Sequence, residues 1–215
     1  MDFRTEFQPQ TIQPQEIERE SFKMIAEELG EHPFTSEQYP VVRRIIHATA
    51  DFDLGRSIVF HPEAIAAGVK AIRAGRSIIA DVQMVKAGIS KPRIEKYGGC
   101  ISVYISDSDV AAEAQRLNTT RAIMAIRKAA RETDDGIYVI GNAPTALLEL
   151  IRLVRSGEAK PSLIIGMPVG FVSAAESKDE LRRLDIPYIT NLGRKGGSTV
   201  VAAAFNALAI MAEQT

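Results

Sequence analysis

From residue 57 onward, short apolar runs alternate with helix-patterned stretches, and this alternation leaves the chain few folds to adopt. The runs are Ser57–Phe60, Ser77–Ala80, Cys100–Ile105, Gly136–Ile140, Ser162–Ile165 and Pro187–Thr190. Between them, Pro62 opens a helix that ends near Gly75, and a short helix stops at Gly88. Ser106–Arg131 reads as one long helix or two, broken at Asn118–Thr119. Pro144 opens another helix, one lies around Lys178–Leu184, and the last begins near Gly197. Apolar strands without polar alternation, separated by helices, indicate a parallel sheet covered on both faces. The predicted fold is α/β, doubly wound, with a mainly parallel sheet of five or six strands and right-handed crossovers.

Before residue 56 the pattern is helical. One helix runs from Pro14 to Gly30, with an apolar stripe of Ile17, Met24, Ile25 and Leu29 on which Ser21 falls. A second runs from Glu37 or Val41 to Ala50, its less polar face made by Val42, Ile45, Ile46 and Thr49. The reading is one α/β domain over residues 1–215, with residues 1–55 as a helical N-terminal extension.

Charge and cysteine usage narrow the function. Lys plus Arg number 26 and Asp plus Glu 27, so the net charge is −1 and a general nucleic-acid coat is disfavoured. Trp is absent and aromatics are 6%, which disfavours stacking platforms for single strands or sugars. Cys100 is the one cysteine, so neither an internal disulfide nor a Cys-based zinc cluster can form, and in its strand it should be buried. No H-x-x-x-H or H-E-x-x-H pattern occurs, and no metal site is expected. The first 20 residues are polar, Gln-rich and acidic, unlike a signal peptide, and the apolar run Val200–Met211, interrupted by Asn206, is too short to span a bilayer. A soluble, cytoplasmic protein is expected.

In doubly wound sheets the ligand lies beyond the carboxyl ends of the strands. Those positions hold Asp81-Val82-Gln83-Met84, Gly141-Asn142-Ala143-Pro144-Thr145, Gly166-Met167-Pro168-Val169-Gly170-Phe171-Val172 with Glu176-Ser177-Lys178, and Gly193-Arg194-Lys195-Gly196-Gly197-Ser198. A Gly-rich basic loop entering a helix offers backbone N–H groups and a helix dipole to an anion, phosphate or carboxylate. The same glycines also suit a tight turn and a close helix–sheet contact. The last loop lacks a Lys before Ser or Thr, so it is not a P-loop, and no G-x-G-x-x-G follows a strand. Glu176 and Asp179, with Lys178 between them, read as a solvated helix end.

His32 and His61 each precede a proline and read as loop or capping residues. His47 lies inside a helix, with Arg43 and Arg44 one turn before it and Asp51 one turn after. The arginines can clamp carboxylates and disfavour a protonated His47; Asp51 favours it. A histidine so balanced suits general acid work, and equally suits a charged helix surface. Asn118-Thr119-Thr120-Arg121 reads as a capped helix start, where an Arg is electrostatically unfavourable; it suits a ligand or a partner subunit, and equally simple exposure to solvent.

Taken in order, Ile45-Ile46-His47-Ala48-Thr49-Ala50-Asp51, Asp81 to Ile89, Thr119-Thr120-Arg121, Gly141 to Leu147, Gly166 to Val172 with Glu176-Ser177-Lys178, and Gly193 to Ser198 resemble the precorrin-8X methylmutase family, which includes cobalt-precorrin-8 methylmutases. The resemblance implies a cofactor-free isomerase of cobalamin biosynthesis. It moves a methyl group from C-11 to C-12 of a corrin precursor, giving hydrogenobyrinic or cobyrinic acid, with His47 as the acid. It also implies a homodimer with its site near the subunit interface. Ser21 and Arg121 match family substrate-site residues. Ser90 and Lys91 stand where Thr and Arg are common, Ala50 where Gly is, and Ala122-Ile123-Met124 is bulkier than the usual run. A broad apolar ring fringed by carboxylates would need small residues, apolar walls and cations. The residues expected to line its site are Ser21, Arg43, Arg44, Asp81, Ser90, Thr120, Arg121, Asn142, Arg194 and Lys195. Cobalt, if present, arrives in the substrate. The alternatives are a non-catalytic tetrapyrrole carrier and a nucleotide-binding regulator; the missing phosphate motifs count against the second.

Overall fold

The computed structural model of the chain describes residues 13–214, so part of the polar leader at residues 1–20 lies outside the described residues. The chain divides after Pro33. The first unit contains α1 (Pro14–Leu29), with Pro14 in its first turn and Gly30, at φ 63°, closing it by an N–H bond to the Ala26 carbonyl. Ile25 and Leu29 are buried, whereas Ile17 and Met24 are exposed. Residues 17 and 24 lie about 100° around the helix from residue 25, so the predicted stripe is really two adjoining ones.

The second unit holds everything else: α2 (Tyr39–Thr49), α3 (Phe52–Arg56), β1 (Ile58–Phe60), α4 (Ala64–Arg73), β2 (Ile78–Ala80), α5 (Gln83–Gly88), α6 (Lys91–Glu95) and β3 (Ile101–Ser102), then α7 (Ser108–Arg116), α8 (Arg121–Glu132), β4 (Ile137–Ile140), α9 (Pro144–Arg155), β5 (Leu163–Gly166), α10 (Ala174–Leu181), β6 (Tyr188–Asn191) and α11 (Ser198–Gln214). Thus α2 and α3, read from sequence as part of the extension, belong to the larger unit. The expected break at Asn118 is real: Asn118 takes φ 49°, and Thr120 caps α8 by accepting the Ile123 N–H at 3.2 Å.

One six-stranded sheet has the order β1-β6-β5-β4-β2-β3. Every pair is parallel except β1 with β6. The third strand is much shorter than Cys100–Ile105, because its partner β2 offers only three residues and β3 pairs through Ile101 and Ser102 alone. Cys100 therefore falls outside the strand and is exposed, contrary to expectation; its Sγ lies 3.5 Å from Ser77 Oγ.

Side chains of β2, β4 and β5 alternate between two helical layers, as the period of two requires. Ile79, Tyr138, Ile140 and Ile164 join Ile126, Leu147, Leu150 and Leu181 on one side. On the other side α11 packs against α2, α4 and α5 as well as β4 and β5. Covered all round, α11 is apolar on nearly every face. Asn206, which interrupts that apolar pattern, is fully engaged. Its Oδ1 accepts the Ser90 N–H at 2.9 Å and its Nδ2 donates to the Gly88 carbonyl at 2.8 Å. It thereby holds the turn between α5 and α6 onto the helix.

Candidate active site at the carboxyl edge of the sheet

The antiparallel edge strand decides where the histidine helix goes. Ile58, the first residue of β1, pairs with Asn191, the last residue of β6. The chain entering β1 therefore already stands at the carboxyl edge of the parallel strands, and α2 with α3 is delivered there directly. The Gly-rich loop after β6 meets them: Lys195 Nζ donates to Asp51 Oδ1 at 2.9 Å and Oδ2 at 2.7 Å, and lies 3.6 Å from Asp53.

This changes two expectations. Asp51 does not act as a counter-charge dedicated to His47. Its carboxylate caps α3 by accepting the Leu54 N–H at 2.8 Å and pairs with Lys195, whose hydrogen bond holds its pKa below the ordinary carboxylate value. Lys195, expected to offset substrate carboxylates, is engaged by Asp51, which raises its own pKa. His47 itself sits exposed in the last turn of α2. Arg43 and Arg44 follow each other on α2 and so leave the helix about 100° apart. Arg43 lies over the Tyr39 ring, 5.6 Å from its centroid. Arg44 lines a cleft of about 440 Å³ with Ala48, Met84, Gly88, Ser198 and Asn206.

Ala50 ends α2 in the left-handed conformation, φ 52° and ψ 28°, a position that glycine fills without strain. Ala50→Gly should stabilise the fold by about 0.5–1 kcal/mol in urea denaturation; an unchanged or lower midpoint would show that the neighbourhood already relieves the strain.

The crevice at the switch in strand order lies between β2 and β4, where such sheets usually bind ligands. Here it is filled from within. Asp81 is buried, and its carboxylate accepts the N–H groups of Gly141 at 3.3 Å, Asn142 at 2.7 Å and Ala143 at 3.0 Å. Burial pushes its pKa up, against the pull of these three donors. Asp81, a residue the sequence suggests for substrate binding, accepts the backbone donors that lead into α9. The Asn142 side chain stands exposed at the same loop.

The two loops after β5 and β6 are laced together. Gly197 N–H donates to the Met167 carbonyl at 2.9 Å and Gly170 N–H to the Arg194 carbonyl at 3.2 Å. A Cβ on Gly196 would stand 2.2 Å from the Met167 carbonyl oxygen, so only glycine allows this approach. Arg194 is exposed and stacks over Phe171, 5.8 Å from its ring centroid, and Phe171 is 85% exposed.

Beneath these loops lies the residue that sequence reasoning missed. Lys178, read as part of a solvated helix end, is 1% exposed. Its Nζ donates to the Lys195 carbonyl at 2.7 Å and to Asn191 Oδ1 at 3.2 Å. Burial lowers its pKa from an ordinary 10.5 to about 8. The available signal was spacing: Ala174, Lys178 and Leu181 share one helix face, and all three are buried.

The shift has a measurable sign. Between pH 8 and 10.5 the unfolded chain keeps a proton that the folded chain has released, so stability rises with pH there. The rise should total about 3 kcal/mol and be absent from Lys178→Met; equal slopes in the two proteins across that window would contradict a strained buried ammonium.

The family model described as precorrin-8X methylmutase matches residues 16–211. The chain belongs to the precorrin-8X methylmutase family. It is 69% identical to the cobalt-precorrin-8 methylmutase of Priestia megaterium over 99% of this chain and 95% of that one. It is 48% identical to the cobalt-precorrin-8 methylmutase of Leptospira interrogans, over 92% and 94%. The crystal structure of precorrin-8X methylmutase from Thermus thermophilus superposes with a TM-score of 0.85 at 41% identity, over 92% of this chain and 98% of that one. As a methylmutase the chain is an isomerase that shifts a methyl group within one molecule, in cobalamin biosynthesis.

The remaining residues that the methylmutase resemblance singled out belong to several elements. Ser21 belongs to α1 in the first unit, where its Oγ donates to the Ile17 carbonyl at 2.7 Å. Ser90 precedes α6, its N–H held by Asn206. Thr120 caps α8, and Arg121 is exposed at the first position of that helix. Since α8 returns the chain to the start of β4, its first turn lies towards the carboxyl edge. No group of three or more His, Cys, Asp or Glu residues able to hold a metal occurs among the described residues. No helix among them is long and apolar enough to cross a membrane.

Proposed function

We propose that this methylmutase moves the methyl group from C-11 to C-12 of cobalt-precorrin-8, or of its metal-free counterpart precorrin-8X, to give cobyrinic or hydrogenobyrinic acid, with His47 as the acid. The observation carrying this reading is the meeting of α2 with the Gly-rich loop through Asp51 and Lys195, which brings an exposed histidine and a set of backbone donors to one edge of the sheet. Relatives at 69% and 48% identity are named for the cobalt-containing substrate, which puts that form first. The ring's flat body suits the exposed apolar side chains of Met84, Phe171 and Val172, and its carboxylates suit Arg44, Arg121 and Arg194.

Protonating the macrocycle makes it electron-poor, so the methyl group migrates with its bonding pair to the neighbouring carbon. Loss of a proton then restores the neutral ring. The shift is internal and redox-neutral, so no cofactor is required and His47 can act first as donor and then as acceptor. Rate comes from binding the protonated ring better than the neutral one. A homodimer with the site near its interface belongs to the same reading; light scattering at working concentration tests it.

The experiment is an absorption titration of the purified protein with each substrate form. Conversion of the cobalt form to a cobyrinic-acid spectrum is expected. Binding of both forms without conversion would favour the carrier, and no spectral change with either would overturn the reading.

A further inference from the structure

The buried ammonium of Lys178 has no carboxylate to answer it. Among the described residues it makes no ion pair; its acceptors are an amide oxygen and a backbone carbonyl. Asp179, the next residue along α10, is the charged group whose field reaches it. A solitary charge taken from water costs stability unless something compensates it, and proteins usually avoid the arrangement by pairing. Here the charge lies directly under the Gly-rich loop.

The same contact orients the loop. The Lys195 carbonyl is drawn inward by Lys178 Nζ at 2.7 Å and by Asn191 Nδ2 at 2.9 Å. In a trans peptide the C=O and N–H point opposite ways. Pulling that carbonyl towards Lys178 therefore turns the Gly196 N–H the opposite way, away from the buried ammonium. Lys178 thus supplies a positive field and an oriented donor at one place.

We propose that Lys178 is a positioning residue for the substrate, and that a ring carboxylate seated on the Gly196–Ser198 loop provides the counter-charge its ammonium lacks. The inference rests on the corrin reading of this site. It explains why a lysine is held in a position where an apolar side chain would fit the burial better, and how the loop can attract a carboxylate although Lys195 is engaged by Asp51.

The test uses the full-length protein with Lys178→Met, which keeps the volume and removes charge and donor, and Lys178→Gln, which keeps an N–H donor without charge. Two probes are titrated by absorbance: cobyrinic acid, and the same corrin ring with its side-chain carboxylates converted to amides. Both variants should bind cobyrinic acid about tenfold or more weakly and bind the amidated ring as the native protein does. In turnover the loss should appear in KM, with kcat within about threefold. Equal weakening towards both probes would make Lys178 a structural residue and overturn the proposal. So would native binding by either variant; in Lys178→Gln alone it would assign the effect to the hydrogen bond rather than the charge. If Met does not fold, the Gln variant and the two probes decide the matter. Should the native protein bind neither ring, the corrin reading fails instead, a distinct result.

Discussion

Replacing His47 by Ala lowers turnover by about 10²–10⁴-fold while leaving binding of the ring nearly intact. The expectation follows from where the side chain is. His47 is exposed in the final turn of α2, outside the packed face made by Val41, Val42, Ile45 and Ile46. Its removal creates no cavity, so the folded protein survives and the loss can be read in kcat. His47→Gln serves as a companion, keeping a polar group of similar reach that cannot exchange a proton at neutral pH. Both variants should retain the native melting temperature within about a degree or two, since exposed substitutions rarely shift stability by more than about 0.5 kcal/mol. Turnover within tenfold of native in either variant would remove His47 from the acid role.

Asp81→Ala destabilises the fold by about 2–4 kcal/mol, because three backbone N–H groups at the start of α9 lose their acceptor together. Relief of the buried carboxylate's own desolvation reduces the loss without cancelling it. Asp81→Asn retains one oxygen that can accept two of the donors, and should cost less than half as much. Urea denaturation measures both. The pair separates the structural role of this carboxylate from substrate contact: a structural residue lowers stability and leaves KM of the remaining folded enzyme unchanged. A raised KM with native stability would restore Asp81 to the substrate site.

The sheet, its helices and most of their limits were legible in the residue pattern for a simple reason. Buried parallel strands must be continuously apolar, and glycine or proline must mark the turns between them. Gly30, Asn118 and Thr120 fell at helix ends for the same local reasons that the structure displays. What could not be read was direction and distance. A three-residue strand such as Ile58–Phe60 has the same composition whichever way it runs, so the antiparallel pairing with β6 left no trace. Asp81 reaches a loop some 60 residues away, and its partners are backbone groups with no side-chain signature. Lys178 sits between Ser177 and Asp179, and composition alone assigns it to water. The resemblance to a known family pointed to His47 and Arg121; the structure added that Asp51 and Lys195 pair with each other and that Lys178 lies buried beneath the loop that carries Lys195.

The pairing of the first strand with the last also governs when the site exists during synthesis. Ile58 and Asn191 are roughly 130 positions apart, and bringing such distant segments together is a slow, late event in folding. While the ribosome is still adding β6, helix α2 has been out of the exit tunnel for most of the synthesis, yet neither Lys195 nor the strand that fixes β1 is available to it. Nascent chains that still lack β6 therefore leave β1 and the helix carrying His47 without the partners that place them. Premature termination anywhere before Asn191 should therefore yield fragments without a complete β6 and without the contact between Asp51 and Lys195.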